Sequence, residues 1–156
     1  MKFFSWGVCF FLLSCSSMNQ SSHKSKFYTI RLKPGSDLKK SLIEFANEKH
    51  LKAASIVTAV GSLTDYNLRF ANQKDGAMKS GHFEIVSLVG TLSLKGSHIH
   101  LAVSDEKGAT IGGHLLDGNL IYTTCEITLF EDLEKEFIRE IDETYGFQEL
   151  KVIPRN

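Results

Sequence analysis

The sequence is poor in cysteine, carries no surplus of either charge and has no apolar run long enough to cross a bilayer. Among 156 residues there are three cysteines. Cys9 lies in an apolar run and Cys15 at a candidate processing point, so Cys125 stands alone in the folded part and no disulfide can form within the domain. With no base near it in sequence, Cys125 reads as a small buried residue rather than a nucleophile. Lys plus Arg equals Asp plus Glu at 18 each, which removes the basic field that draws a protein to a phosphate backbone. Nucleic acid is therefore a poor candidate partner. No internal repeat is visible, which leaves solenoids and arrays without support. What remains, 42% hydrophobic and 23% charged residues, is the composition of a folded chain with room for one domain and its core.

The amino terminus, "MKFFSWGVCFFLLSCSSMNQSSHKSK", places Lys2 before the apolar run Phe3–Leu13, the pattern of a secretory signal. Leu12-Leu13-Ser14-Cys15 resembles the lipobox of bacterial lipoprotein signals, in which the cysteine thiol accepts the lipid. Residues 16–26, rich in Ser, Asn and Gln, read as a flexible tether, giving a leader and tether over 1–26 and a folded domain over 27–153. This predicts an exported protein, either a membrane-anchored lipoprotein or a secreted or periplasmic one. An unprocessed hydrophobic tail would instead leave the chain in the cytoplasm.

From residue 27 the pattern is of strands. "FYTIRLK" alternates and stops at Pro34-Gly35. Ser36 can cap a helix whose Leu38, Leu42 and Phe45 form an apolar stripe, ending near a solvent-side His50. "AASIVTAVGSL" reads as a strand buried on both faces and ending at Gly61, followed by "YNLRFAN", the loop "QKDGAMKSGH" and a central strand "FEIVSLVGTLSL" bulged at Gly90. "HIHLAVS", "GATIGGHLL" and "NLIYTTCEITLF" complete the run, and the charged carboxy-terminal segment suggests a short strand, a turn at Gly146 and an edge strand before Pro154. The predicted class is α+β, a mostly antiparallel mixed sheet with flanking helices.

The histidines are the unusual feature. On a strand, Ile99, Leu101 and Val103 claim the core, so His98 and His100 must share the other face. A four-residue loop Asp105–Gly108 would pair Ser104 with Ala109 and turn His114 to the wrong face. One extra residue at Gly112-Gly113 would restore it opposite His98. Three neutral imidazoles converging in this way can hold zinc or a similar divalent ion with a position left open, while the alternative is a set of surface or interface histidines bonded to neighbours. Glu126, on the non-core face of its strand, is the candidate proton shuttle, a hydrogen-bond partner for a metal-binding histidine or simply a solvated carboxylate. His82 reads as a surface residue and His23 as part of the tether.

The stretch "GHFEIVSLVGTLSLKGSHIHLAVSDEKGATIGGHLLDGNLIYTTCEITL", together with "AVGSLTDYNLRFAN", resembles the PPC domain, the plant and prokaryote conserved domain also called domain of unknown function 296, from about Tyr28 to Val152. The resemblance implies a domain with a central antiparallel sheet that assembles as a homotrimer. It also implies similarity in fold to acetolactate decarboxylase, which uses histidines as metal ligands. In plants the domain follows AT-hook motifs that bind A·T-rich DNA, and prokaryotic relatives are often labelled predicted DNA-binding proteins. The Arg-Gly-Arg-Pro core of that hook is absent from this sequence. Three functions follow as expectations: a trimeric binding or interaction module with a His98–His100–His114 metal site; a metal-dependent lyase- or hydrolase-like enzyme on a small molecule, with Glu126 moving a proton; and, least supported, a DNA-binding protein.

Overall fold

Ile99, Leu101 and Val103 are buried and His98 and His100 between them are exposed, the period of two that a strand shows when one face rests on a core. The same alternation organises most of the chain. A computed structural model describes residues 23–155, so the candidate signal, Cys9 and Cys15 lie outside the described residues. In chain order the elements are β1 (Ser25–Leu32), α1 (Leu38–Glu48), β2 (Ala54–Arg69), β3 (Ala77–Ser93), β4 (Gly96–Ser104), β5 (Thr110–Leu115), β6 (Leu120–Asp132), β7 (Lys135–Ile141) and β8 (Gln148–Pro154).

Among the described residues the architecture is mostly β with one short helix, which corrects the expected α+β class with flanking helices. Strands β1-β6-β2-β3-β4-β5 form a six-stranded antiparallel sheet, and β7-β8 form a separate ribbon. The end of β2 also pairs with β5, through Leu68 with Leu115 and Arg69 with His114. Pairings β2–β3, β3–β4, β4–β5 and β5–β2 therefore close a ring, so the far edge of β5 is not left unpaired along its whole length. Leu63, Leu68, Leu92, Leu101, Ile127 and Leu129 fill the interior.

Helix α1 covers one end of this core with Leu38, Leu42 and Ala46, spaced by four. Its cap is Asp37, not Ser36. One Asp37 oxygen accepts the Lys40 backbone N–H at 3.1 Å and the other that of Gly118 at 2.7 Å, so the carboxylate ties the helix to the β5–β6 connection as well as ending it. His50 terminates the helix with φ at 53°, donating its N–H to the Asn47 carbonyl while Leu51 donates to that of Ala46. That is the left-handed stop usually assigned to glycine, and it accounts for the exposed position of His50.

Two glycines serve purposes other than those the pattern suggests. Gly61 does not end a strand; β2 runs through it to Arg69, and a Cβ there would lie 2.2 Å from the Thr124 carbonyl oxygen. Gly90 is not bulged. It sits opposite Ile99 in regular register, with its missing Cβ only 2.2 Å from the His98 carbonyl oxygen, and the irregularity in β3 falls between Ile85 and Ser87. Both glycines allow a neighbouring backbone to approach closely. The expected loop before β3 is also shorter, because β3 begins at Ala77. The carboxy-terminal ribbon matches the expected strand, turn and edge strand. It docks through Phe137, whose N–H reaches the Lys52 carbonyl at 2.8 Å and whose carbonyl accepts the Ser93 hydroxyl at 2.8 Å.

Candidate metal centre

The β4–β5 turn decides where His114 falls. Ser104 pairs with Thr110, so the connection spans Asp105 to Ala109 and is one residue longer than expected. Asp105 builds it: one carboxylate oxygen accepts the N–H groups of Lys107 at 2.9 Å and Ala109 at 3.0 Å. Those backbone bonds hold the Asp105 carboxyl below its ordinary pKa. With the additional residue in the turn, β4 and β5 stay in regular register and no bulge is needed at Gly112-Gly113. His114 lies opposite His100 rather than His98, on the same outward face. Gly113 instead allows the end of β2 to come close, since a Cβ there would be 2.7 Å from the Arg69 carbonyl oxygen.

The three rings converge. His114 Nδ1 is 3.2 Å from His98 Nε2 and 3.2 Å from His100 Nε2, and one nitrogen from each ring falls within 4.8 Å of the others. Tetrahedral zinc with bonds of about 2.0–2.1 Å separates its nitrogen ligands by roughly 3.3 Å, so two of the three separations already suit a shared ion. His98 and His114 have pKa values below the ordinary imidazole value, in both cases chiefly because burial disfavours the cation. For His98 the next causes are His100 and Arg139, with Glu149 opposing. For His114 they are Arg69 and the other two histidines. Near neutral pH these two rings are thus neutral and carry the lone pairs a metal requires.

Two clefts meet at this cluster. One, of about 310 Å³, is lined by His98 and His114 together with Lys39, Arg69, Arg139 and Phe147; the other, of about 370 Å³, lies on the His100 side against Arg69, Ser87 and Ala102. The arginines and the lysine escaped sequence reasoning. Arg69 had a local signal, since it alternates with Leu68 in β2, but only the β2–β5 pairing sets it beside His114. Arg139 comes from β7 and is held by donating to Thr91 Oγ1 at 2.9 Å, where Thr91 is the cross-strand neighbour of His98.

Glu126 is not brought to the histidines within one chain. It is exposed on β6, opposite Val60, whereas the β2 residue that pairs with His114 is Arg69, nine residues further along the strand. Nine strand residues span roughly 25–30 Å. His82 is exposed and stacks on Tyr122 with ring centroids 4.5 Å apart. His23 lies two residues before β1, which itself begins inside the expected tether. It reaches Glu134 at 2.6 Å and Asp132 at 3.2 Å, a second and mixed trio with potential ligand atoms.

A mostly antiparallel β domain with three histidines gathered on its outer face defines the class of protein. The Plants and Prokaryotes Conserved (PCC) domain profile matches residues 19–132, and the chain belongs to that family. Among solved structures, a hypothetical protein from Salmonella enterica superimposes with a TM-score of 0.84 at 39% identity, covering 86% of this chain and 98% of that one. A metal-containing protein from Archaeoglobus fulgidus gives a TM-score of 0.70 at 27% identity, covering 83% and 96%. Over 127 residues the chain is 46% identical to the bifunctional protein GlmU of a Synechococcus strain, which is 81% of this chain and 20% of that one. This chain therefore spans about a fifth of that relative's length.

Proposed function

We propose that this protein is a homotrimeric binding module in which His98, His100 and His114 hold a divalent metal, zinc being the best match, with one coordination position open to a small-molecule ligand. The carrying observation is the approach of His98 Nε2 and His100 Nε2 to His114 Nδ1, each at 3.2 Å. A bound ion of this kind supplies Lewis acidity toward a ligand oxygen. The chain contributes three imidazole donors on adjacent strands, and the described lining of the two clefts contains no carboxylate, which favours binding over proton transfer. The metal-containing Archaeoglobus relative supports the same reading.

Assembly is supported by exposed aliphatic side chains on β2 and β3, where Val57, Val60, Val86 and Val89 are each more than half exposed. Such a patch is what a subunit contact would cover, and the family resemblance indicates two further copies of this chain. The balanced charge and the missing AT-hook core point away from DNA as the ligand. The leader-like Phe3–Leu13 run and Cys15 support export, with lipid attachment as the anchor; incorporation of a labelled fatty acid that is lost in Cys15→Ser is the expected result.

The test of the metal site is elemental analysis of protein purified without chelators and loaded with zinc. One ion per protomer is expected, with loss in a His98→Ala/His100→Ala double variant that keeps the wild-type circular dichroism. Zinc retained at the same stoichiometry by that variant would remove the proposal.

A further inference from the structure

Three cationic side chains from three different elements border the cleft beside His98 and His114: Lys39 from α1, Arg69 from β2 and Arg139 from β7. No described carboxylate lines that cleft. Lys39 has a partner, Asp117, at 3.2 Å. The arginines are anchored differently. Arg139 donates through Nη2 to the Thr91 hydroxyl at 2.9 Å, and Arg69 through Nη1 to the Gln73 carbonyl at 3.3 Å. Among the described residues neither guanidinium has a carboxylate within salt-bridge distance, Glu149 acting on His98 only through its field, and each of these bonds uses one of the five N–H donors of its arginine. Both side chains are only partly exposed, so their fields are less screened than those of free surface arginines.

Like charges gathered around a concavity repel one another unless something anionic enters it. A carboxylate or phosphate group matches the planar fork of arginine and can take two parallel hydrogen bonds from it. The same cleft also carries apolar lining from Phe147, Leu115 and Leu116, with Phe147 largely exposed. A ligand that satisfies both kinds of lining has a charged head and a short carbon body, and about 310 Å³ limits it to a small molecule.

We infer that this cleft binds a small organic anion bearing a carboxylate or phosphate group, clamped by Arg69 and Arg139 beside the histidine cluster. This deepens the binding-module reading by naming a ligand class, yet the arginine clamp does not need the metal.

The experiment is isothermal titration of the full chain, metal-free and zinc-loaded, with succinate, phenyl phosphate and the neutral succinamide as probes. At least one anion is expected to bind and succinamide is not. Arg139→Gln should weaken that anion about tenfold or more, Arg139→Lys should weaken it less, and zinc content should be unchanged in both. Arg69→Gln is the companion variant, read only with a wild-type unfolding transition. The stronger of the two anions identifies the head group. Absence of binding by both anions in both metal states, or binding unchanged in both glutamine variants, would overturn the inference. Zinc uptake without anion binding sinks this inference and leaves the metal site. Anion binding by protein that takes up no zinc does the reverse.

Discussion

Asn119 acts as a strand toward Asn67: its carboxamide oxygen accepts the Asn67 backbone N–H at 3.0 Å, and its amide nitrogen donates to the Asn67 carbonyl at 3.1 Å. This happens where the edge of β2 changes partner, from β6 up to Asp65 to β5 from Leu68. A residue between the two ladders would otherwise be left with unmet polar groups in the interior. Asn119 is fully buried and also donates to the Leu116 carbonyl at 2.7 Å, so its side chain, together with the Leu116 N–H that reaches the Asn67 carbonyl at 3.2 Å, closes the gap.

Replacing it should be costly. Asn119→Ala removes the partners of the Asn67 N–H and the Leu116 carbonyl, while the Asn67 carbonyl keeps the Leu116 N–H; each unmet group costs about 1–3 kcal/mol when buried. We expect destabilisation of roughly 2–4 kcal/mol, measured by urea unfolding. A change below about 0.5 kcal/mol would show that water replaces the carboxamide.

The glycines provide a paired comparison. Gly90→Ala drives a methyl group into the His98 carbonyl at a φ of 153°, whereas Gly108→Ala, at a φ of 78°, meets nothing within 4 Å. The first should cost about 2–4 kcal/mol from clash and strain, the second about 1 kcal/mol from strain alone. Equal denaturation midpoints for the two variants would contradict the close approach of β3 and β4.

His50→Gly should stabilise the protein. The position already has a φ of 53°, which a side chain resists and glycine does not. After allowing for the greater freedom of glycine in the unfolded chain, a gain of about 0.5–1 kcal/mol is expected, visible as a higher melting temperature.

Cys125 should be chemically silent. Burial pushes its thiol up to about 12 from the ordinary 9.0, and Glu126 adds to the shift. In a Cys9→Ser/Cys15→Ser background, a thiol reagent at pH 8 should react only as fast as the domain opens. The sign of the linkage follows. The folded state holds this proton more tightly, so its contribution to stability is complete below pH 9 and declines as the pH rises toward 12. Rapid labelling under native conditions would contradict the burial.

Sedimentation equilibrium checks the assembly. On the proposed assembly the wild-type chain sediments as a trimer, and Val60→Asp, which puts a charge at an exposed β2 position, should sediment as a monomer while zinc uptake persists. A variant that remains trimeric would move the subunit contact elsewhere.

Much of the site could be read from residue alternation, because one buried face forces His98 and His100 onto the other whatever lies nearby. The third histidine was placed on the right face through the wrong device. Sequence shows that one additional residue is needed between Ser104 and His114, but turn and strand accommodate it equally well on paper; the two bonds accepted by Asp105 put it in the turn. Arg69 and Arg139 could not be found in this way, since their proximity depends on β2 meeting β5 and on where the carboxy-terminal ribbon docks. Both are contacts between segments far apart in the chain, with no local periodicity to announce them. Gly61 misled for a related reason. A glycine inside an apolar run signals an ending as readily as a crossing, and only the backbone of β6 beside it separates the two.

The imidazoles stand on β4 and β5, while Arg139 and Phe147 reach the same cleft from β7 and the turn that follows it. One wall of the cleft is thus built by strands of the main sheet and its rim by a separate two-stranded ribbon, so a substitution such as Arg139→Gln alters the rim without changing the register that gathers the three rings.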